Sequence, residues 1–159
     1  MSAPLPEFCA LIERIGPAQT LHTSLTLSFD ARQKSRQRVR LDNGEDAALL
    51  LPRGTQLRDG DLLRSADAAL VVQVWAAPEQ VSHVQTGDPR LLARCCYHLG
   101  NRHVPVQIGD HWLRYLQDSV LDDLVRGLGL PVQTQLAPFE PEAGAYAHGA
   151  VPHHRHAHE

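Results

Sequence analysis

Hydrophobic and polar residues alternate along the first half of the chain, with the two-residue period of a half-buried β-strand. Residues 20–29 follow this pattern, and so do residues 38–41 and 47–51, which flank Asp42-Asn43-Gly44. An Asn-Gly pair between two apolar runs is typical of a β-hairpin. Residues 71–75 add another strand. Short strands at this spacing, without helices between them, predict a β-rich unit of the small barrel or sandwich type.

The period changes beyond residue 76. Apolar residues three or four apart between Asp88-Pro89 and Gly100 predict a helix, because aspartate caps a helix and proline suits its first position. A second helix is expected to begin at Asp118 or Ser119, and Ser119 with Asp122 three residues later resembles a capping box. The remaining apolar runs predict strands at residues 79–85, 104–108, 112–116 and 132–136. This β-α-β-β-α-β order predicts a ferredoxin-like unit, and the whole chain is expected to be α+β.

The composition narrows the class of protein. A hydrophobic content of 43% in 159 residues is enough for one ordinary domain or two small ones. The net charge of −3 argues against a nucleic-acid partner, and no apolar run approaches the roughly 20 residues of a membrane helix. The N-terminus has no secretory signal, and Cys9, Cys95 and Cys96 form no disulfide framework. We therefore expect a cytoplasmic protein that contacts neither nucleic acid nor membrane.

The last twelve residues have a composition of their own. They contain five of the ten histidines, namely His148, His153, His154, His156 and His158. The glycine, proline and charged residues between them cannot bury a core, so a disordered segment is expected. Mobile imidazoles suit the loose capture of a borderline divalent metal. An expression tag is the alternative, but Arg155 and Ala157 interrupt the series.

Other polar residues carry weaker signals. Asp122 and Asp123 point in two directions on a helix, which does not favour acid–base catalysis, and no phosphate-binding or hydrolase motif is present. His98 and His103 do not have the i,i+4 spacing of a zinc protease, and Gly100 is expected to end the helix between them, so they need not share a face. A basic run is interpreted as a solvated face, with docking of an acidic protein as the alternative. This run comprises Arg32, Lys34, Arg36, Arg38 and Arg40.

Three segments together resemble one family. They are residues 97–103 (Tyr-His-Leu-Gly-Asn-Arg-His), 121–123 (Leu-Asp-Asp) and 138–146 (Pro-Phe-Glu-Pro-Glu-Ala-Gly-Ala-Tyr). Residues 35–38 and 49–54 of the first half resemble the same family. The combination, followed by a histidine-rich tail, is similar to the UreE family of urease accessory proteins, which are nickel metallochaperones. The similarity covers nearly the whole chain, from Leu21 to Tyr146.

The resemblance implies a domain organisation and a metal site. Residues 1–76 would be similar to a peptide-binding domain of chaperones, residues 77–146 would be a ferredoxin-like domain for metal binding and dimerisation, and residues 147–159 the disordered tail. The protein would be a homodimer in which His103 of both chains binds Ni(II) at the two-fold interface, and the tail histidines add ligands. Zn(II) and Cu(II) are expected to bind as well, since imidazole suits all three ions.

The same resemblance implies partners rather than a reaction. Nickel would pass to the urease GTPase accessory protein UreG and on to the urease apoprotein, so no enzymatic activity is expected. Some relatives carry extra histidines after the Leu-Arg-Tyr segment and accommodate copper there, whereas this chain has Leu116, Gln117 and Ser119. Metal affinity is expected to fall as the pH drops through about 6.5, because ligation requires neutral imidazole.

Three other functions stay open on the residues alone. A metal buffer without a dedicated client would also use the tail, and pull-down of a GTPase partner separates the two. A metalloenzyme would use the interface metal as a Lewis acid, but no general base lies beside His103 in the sequence. A protein-interaction module in the first half, with metal in a regulatory role, is tested by nickel titration of each half.

Overall fold

The computed structural model describes residues 4–12 and 20–144, which form an α+β fold rich in β-structure. The strands are β1 (Glu7–Ile12), β2 (Thr23–Leu27), β3 (Arg36–Arg40), β4 (Asp46–Leu50), β5 (Leu62–Ser65), β6 (Val71–Ala76), β7 (Pro78–Gln85), β8 (Gln107–Gly109), β9 (Trp112–Leu116) and β10 (Gln133–Pro138). The helices are α1 (Phe29–Arg32), α2 (Pro89–Gly100) and α3 (Ser119–Gly127). None of the helices within these ranges has the length and apolar character needed to cross a bilayer.

Strands β1 to β6, which we call the first half, form one mixed sheet in the order β2-β6-β5-β1-β4-β3. β1 is parallel to β4 and β2 to β6, while the other neighbours are antiparallel. Leu25 of β2 and Leu49 of β4 belong to the same buried cluster, so the sheet folds over onto one core. Because β2 and β3 are its two edges, the sheet does not close into a barrel.

The predicted hairpin is confirmed as β3 and β4. Arg36 pairs with Leu50 and Arg40 with Asp46, so the turn falls at Asn43-Gly44. Gly44 has a φ of +91°, which a residue without Cβ adopts freely. The turn signal in the sequence therefore predicts both the pairing and its position.

Strands β7 to β10, the second half, form an antiparallel sheet in the order β10-β7-β9-β8. Helices α2 and α3 cover one face of it. Val84 and Leu113 of the sheet are fully buried there against Leu99 of α2 and Val125 of α3. The element order β-α-β-β-α-β in this half agrees with the sequence prediction.

Helix α2 begins and ends where the sequence predicts. The Asp88 carboxylate accepts hydrogen bonds from the amides of Arg90 and Leu91 at 2.8 and 3.2 Å, which confirms the N-cap. The helix ends at Gly100 as expected, with Asn101 as the C-cap, so His98 and His103 do not lie on one continuous helix.

Helix α3 corrects the predicted capping box. Of the two expected starts, Asp118 is the N-cap, and its carboxylate accepts from two amides of the first turn at 2.8 and 3.1 Å. Asp122 is instead buried, and it accepts from the hydroxyls of Ser82 and Tyr115 at 2.6 and 2.8 Å. Burial, reinforced by Asp122, raises the pKa of the Tyr115 phenol, so this hydroxyl remains a donor. The cluster is a satisfied part of the core.

Other boundaries also differ from the sequence prediction. β2 ends at Leu27 because the Ser28 hydroxyl accepts from the amide of Ala31 and begins α1. β8 retains only the end of the expected strand 104–108, since Val104 is engaged in capping α2. The sequence pattern does not predict strands β1 and β5. They are recognised from their backbone pairing with each other in the sheet.

Candidate metal centre

The loop after α2 holds His103 in a defined backbone conformation. The amide of Val104 donates to the Leu99 carbonyl at 3.1 Å, and the amide of His103 donates to the Gly100 carbonyl at 2.9 Å. These two bonds are the pattern of a Schellman motif, which ends a helix with one residue in the left-handed region. His103 is that residue, with a φ of +56°. The Schellman motif at the end of α2 therefore fixes the backbone from which the His103 side chain extends.

A histidine at this position carries a conformational cost. Glycine is the usual residue there, because a Cβ disfavours the left-handed region by roughly 1–2 kcal/mol. The His103 side chain is exposed and makes no side-chain hydrogen bond with the other described residues. Nothing within this part of the chain offsets the cost, and residues held in such conformations cluster at functional sites.

His103 borders two concavities. A cleft of about 460 Å³ lies between the two halves, with Leu57 on one wall and Ile108 on the other. A groove of about 340 Å³ is lined by Val104 and Leu116. His103 is exposed and lines both of them.

Arg32 corrects the interpretation of the basic run. It is only 1% exposed, and it donates to the carbonyls of Leu27 and Leu57 at 3.4 Å each. It also donates to the Phe139 carbonyl and, at 2.6 Å, to the Glu140 carboxylate. Arg32 therefore joins the first half to the chain that follows β10, while the other members of the run are exposed.

Residues 139–142 form a strap that is hydrogen-bonded to both halves. Besides Arg32, the guanidinium of Arg58 donates to the Pro141 carbonyl at 3.0 Å. On the other side, the amide of Glu142 donates to the Val106 carbonyl at 2.8 Å. The next two residues also line the cleft. The described chain therefore ends inside the cleft that His103 borders.

The described residues do not assemble a complete metal site by themselves. Within them, no three His, Cys, Asp or Glu side chains lie close enough together to hold an ion. Cys96 and Glu142 line the same cleft as His103. Burial raises the pKa of the Cys96 thiol, so without an ion the thiol is protonated. A metal at His103 would need donors from a second copy or from beyond Gly144.

The remaining described histidines are dispersed over the surface. His98 is half-buried on α2. The His22 ring is hydrogen-bonded to a carboxylate at 2.7 Å, and His83 Nδ1 lies 3.1 Å from a guanidinium nitrogen. His111 is exposed in the turn between β8 and β9, with a φ of +63°. Among the histidines that the structure describes, only His103 lines the cleft and the groove.

The predicted tail ligands lie outside the described residues. They are His148, His153, His154, His156 and His158. Of the predicted ligands, the structure therefore describes His103, and residues 143 and 144, which follow the strap, line the cleft that His103 borders. No sequence motif links the strap and its anchors, Arg32 and Arg58, to the site. The sequence does contain one signal for the strap, which is Glu140 and Glu142 on either side of Pro141. Proline stiffens the backbone there, and the two carboxylates need partners.

Comparison with known proteins is consistent with these features. The model of the UreE urease accessory protein N-terminal domain matches residues 11–76, and that of the C-terminal domain matches residues 79–159. The urease accessory protein UreE of Pseudomonas putida strain W619 is 56% identical over 143 residues, which cover 90% of this chain and 88% of that protein.

Two further relatives extend the similarity. The UreE protein of Burkholderia lata is 53% identical over 156 residues, covering 94% of this chain and 73% of the relative. That of Enterobacter sp. strain 638 is 53% identical over 140 residues, covering 88% and 92%. These proteins are accessory chaperones for urease and not enzymes. The matches to both halves and the extent of identity confirm the resemblance, and the chain belongs to the UreE family of urease accessory proteins.

Proposed function

We propose that this chain is a cytoplasmic nickel metallochaperone, which captures Ni(II) through His103 and the tail histidines and delivers it for assembly of the urease active site. The observation that carries the proposal is the position of His103. It is exposed at a defined helix end, on the border of the cleft from which the chain runs toward its tail. Membership of a urease accessory family favours delivery over metal storage without a client.

The protein is proposed to be a homodimer with His103 of each chain near the two-fold axis. Such an axis supplies two imidazoles from one residue. The groove beside His103 has apolar walls at Val104, Leu116 and Leu121, and Val120 on α3 is 75% exposed. Exposed apolar side chains of this kind favour contact with another protein surface.

The tail histidines are proposed to complete the coordination. Two imidazoles leave a divalent ion unsaturated, so tail imidazoles or water take the remaining positions. Mobile ligands can leave one at a time, which gives an acceptor a route to the ion, whereas a closed four-ligand site retains its metal. Zn(II) and Cu(II) are expected to compete, because imidazole binds all three ions. The ligands are His103, His148, His153, His154, His156 and His158.

The acceptor is proposed to be UreG, the urease GTPase accessory protein, within the complex that matures the urease apoprotein. The groove next to His103 contains Leu116 and Gln117, where some relatives have histidines, so no copper site is proposed there. Neither nucleic acid nor a membrane surface takes part in this function.

The finer domain assignment is also a proposal. Residues 77–146 would be a ferredoxin-like domain, residues 1–76 a peptide-binding-like domain and residues 147–159 a disordered tail. The sheet order β10-β7-β9-β8 supports the first assignment, because β9 lies between β7 and β8 as in a split β-α-β unit. The separate matches to residues 11–76 and 79–159 support a boundary between them.

Calorimetric nickel titration of the full chain tests the proposal, with His103→Ala compared against His111→Ala. His111 is a matched control, since it is also an exposed histidine with positive φ, but it does not line the cleft. His103→Ala should lower nickel affinity by at least the roughly 10- to 100-fold loss seen when a metal ligand's supporting partner is removed. His111→Ala should bind as wild type. Wild-type affinity in a His103→Ala dimer would contradict the proposal.

Delivery is tested separately from binding. In cells that depend on this protein for urease activation, the His103→Ala chain should leave urease largely without activity, while UreG is still recovered with it in a pull-down. Full urease activation by that variant would show that His103 is not on the delivery route.

A further inference from the structure

We propose that one face of the second-half sheet docks an acidic segment of a partner protein, with Arg114 binding an aspartate or glutamate side chain of that segment. The face is the one turned away from α2 and α3. Its contact surface, which we call the Arg114 shelf, consists of the half-buried side chains of His83, Trp112, Arg114 and Gln135. The docking requires no metal ion, so it does not rest on the proposed function.

The register of the sheet places these side chains on one face. Successive side chains of a strand point to opposite faces, and Leu113 of β9 is buried under the helices. Trp112 and Arg114 therefore lie on the other face. Arg114 pairs with Gln107 of β8 on one side and with His83 of β7 on the other. The guanidinium is thus at the centre of the sheet and not at an edge.

Trp112 sets the plane of the guanidinium. A Cβ at Gly109, the residue paired with Trp112, would overlap the indole ring, so this ring lies close against the backbone of β8. The Arg114 guanidinium lies over the indole, with Cζ 4.5 Å from the ring centroid. The imidazole of His83 is next to it, with its ring centroid 5.5 Å from that of Trp112. Contact with an aromatic face holds a guanidinium in a defined orientation.

Hydrogen bonds occupy one edge of the Arg114 guanidinium. Its Nε donates to His83 Nδ1 at 3.1 Å. With its amide oxygen turned toward the guanidinium, Gln135 accepts from Nε and Nη2 at 3.2 Å each. Burial, followed by the nearby Arg114, lowers the pKa of His83, so the imidazole is neutral at pH 7.5 and can accept. Within the described residues, these bonds leave the end formed by Nη1 and Nη2 free.

The free end of the guanidinium matches a carboxylate. Two parallel N–H groups can donate to its two oxygens, which gives a bidentate and charge-assisted pair. Arg114 forms no ion pair within the part of the chain that the structure describes. Glu79 lies on the same face of β7, but its carboxylate accepts from the amide of Phe29 at 2.8 Å. The shelf therefore presents a positive charge that is oriented before a ligand arrives.

The chemistry of the shelf favours a protein carboxylate over other anions. Nucleic acid would require several cations along its phosphates, whereas the shelf has one, and the net charge of the chain is −3. A free small carboxylate would gain only a solvent-accessible ion pair, which contributes little. A protein segment also gains apolar contact with Trp112. Tryptophan and arginine are among the residue types that dominate binding energy at protein interfaces.

The location of the shelf separates it from the candidate metal centre. His103 follows α2, and α2 packs on the opposite face of the sheet. A partner bound at the shelf therefore needs no contact with α2. Docking and metal capture can be measured independently.

Peptide titration of the metal-free full chain at pH 7.5 tests the docking. The probe is the blocked peptide acetyl-Ala-Leu-Glu-Leu-Ala-amide, and the same peptide with glutamine in place of glutamate is the matched control. The Arg114 Nε–H and the Trp112 indole N–H are followed by ¹H–¹⁵N NMR, since both groups belong to the shelf. Sodium acetate and inorganic phosphate are titrated separately.

The glutamate peptide should shift both resonances to saturation and bind at least about tenfold more tightly than the glutamine peptide, because only a carboxylate forms the charge-assisted pair. Equal affinities, or shelf resonances that do not move, would overturn the proposal. The same shifts at the same concentration of acetate would mean a site for free carboxylates and would also overturn it. So would tighter binding of phosphate than of the glutamate peptide.

Variants assign the preference to Arg114. Arg114→Gln should bind the two peptides equally, with Trp112 as the reporter. Arg94→Gln is the matched control and should keep the full preference, since Arg94 is an exposed arginine on α2. Arg114→Lys keeps the charge but has no planar fork, so the preference should fall to about threefold or less. A full preference in either Arg114 variant would overturn the proposal.

Nickel titration separates this inference from the proposed function. Arg114→Lys should bind nickel as wild type, because the shelf lies on the face opposite α2. A loss of nickel affinity in this variant would mean that the shelf supports the metal centre, and would overturn its independent role. Wild-type nickel affinity in His103→Ala would overturn the proposed function and leave the peptide result unchanged.

Discussion

Arg32 and His103 line the same cleft, but their side chains are in opposite states. Arg32 is 1% exposed, and its guanidinium donates to three carbonyls and one carboxylate. His103 is exposed, has a positive φ, and makes no side-chain hydrogen bond with the other described residues. The Arg32 guanidinium is hydrogen-bonded within the fold. The His103 imidazole is left available to bind a ligand, and its left-handed backbone carries a conformational cost.

The difference separates a structural polar residue from a functional one. A buried polar group costs free energy unless it is hydrogen-bonded, so the contacts of Arg32 are explained by folding alone. The exposure and backbone conformation of His103 have no such explanation among the described residues. An accessible imidazole on a defined backbone is what an incoming ion requires.

The largest expected effect on stability comes from Arg32. Arg32→Met keeps an unbranched side chain but leaves the strap without its buried partner, and should lower the free energy of unfolding by about 3 kcal/mol. We place this at the low end of the range for buried pairs, since the Glu140 side chain is 26% exposed. Urea unfolding with EDTA measures it. The exposed Arg38, replaced in the same way, should change stability by less than about 0.5 kcal/mol.

Asp122 is a second buried polar residue that is hydrogen-bonded within the fold. It therefore tests whether the contrast between Arg32 and His103 also applies elsewhere in the molecule. Asp122→Ala leaves the hydroxyls of Ser82 and Tyr115 buried without their acceptor, and should cost about 2 kcal/mol in urea unfolding. Tyr115→Phe removes one donor and should cost about 1 kcal/mol. Nickel affinity should not change in either variant. A selective loss of nickel binding would show that this cluster has more than a structural role.

His103→Gly should separate stability from function. Glycine relieves the left-handed backbone, so the free energy of unfolding should stay the same or rise by up to about 1 kcal/mol, while nickel affinity falls. His111→Gly should have the same effect on stability without any effect on nickel, because it shares the backbone conformation only. A clear loss of stability on His103→Gly would mean that the imidazole makes a structural contact, which would remove the contrast with Arg32.

The smallest expected effect concerns His83. Burial, followed by the nearby Arg114 guanidinium, lowers the pKa of His83 below its ordinary value of 6.5. The unfolded chain then binds the proton more readily, so this contribution to stability is present above pH 6.5 and is lost as the pH falls toward the lowered pKa. His83→Gln should flatten the loss of stability between pH 7.5 and 5.5, compared with His111→Gln. Identical pH profiles for the two variants would contradict this.

Much of the local structure could be predicted because its signals are local. Asp88-Pro89 begins α2 and Asn43-Gly44 turns the first hairpin, since caps and turns depend on side chains within a few residues. Asp122 shows the limit of such signals. Its position after Ser119 fits a capping box, but contacts with Ser82 and Tyr115, 40 and 7 residues away, place it in the core.

The sequence by itself determined the α+β character, the family, and His103 with the tail histidines as the candidate ligands, because composition, periodicity and motifs are readable along the chain. Only the tertiary structure decided that Arg32 is buried and that the strap lies between the two halves, next to the cleft that His103 borders. Arg32 and Glu140 are 108 residues apart, and a single contact over that separation leaves no periodic pattern in the sequence. It forms because the folded sheets bring a buried guanidinium and a carboxylate together, where each satisfies the other.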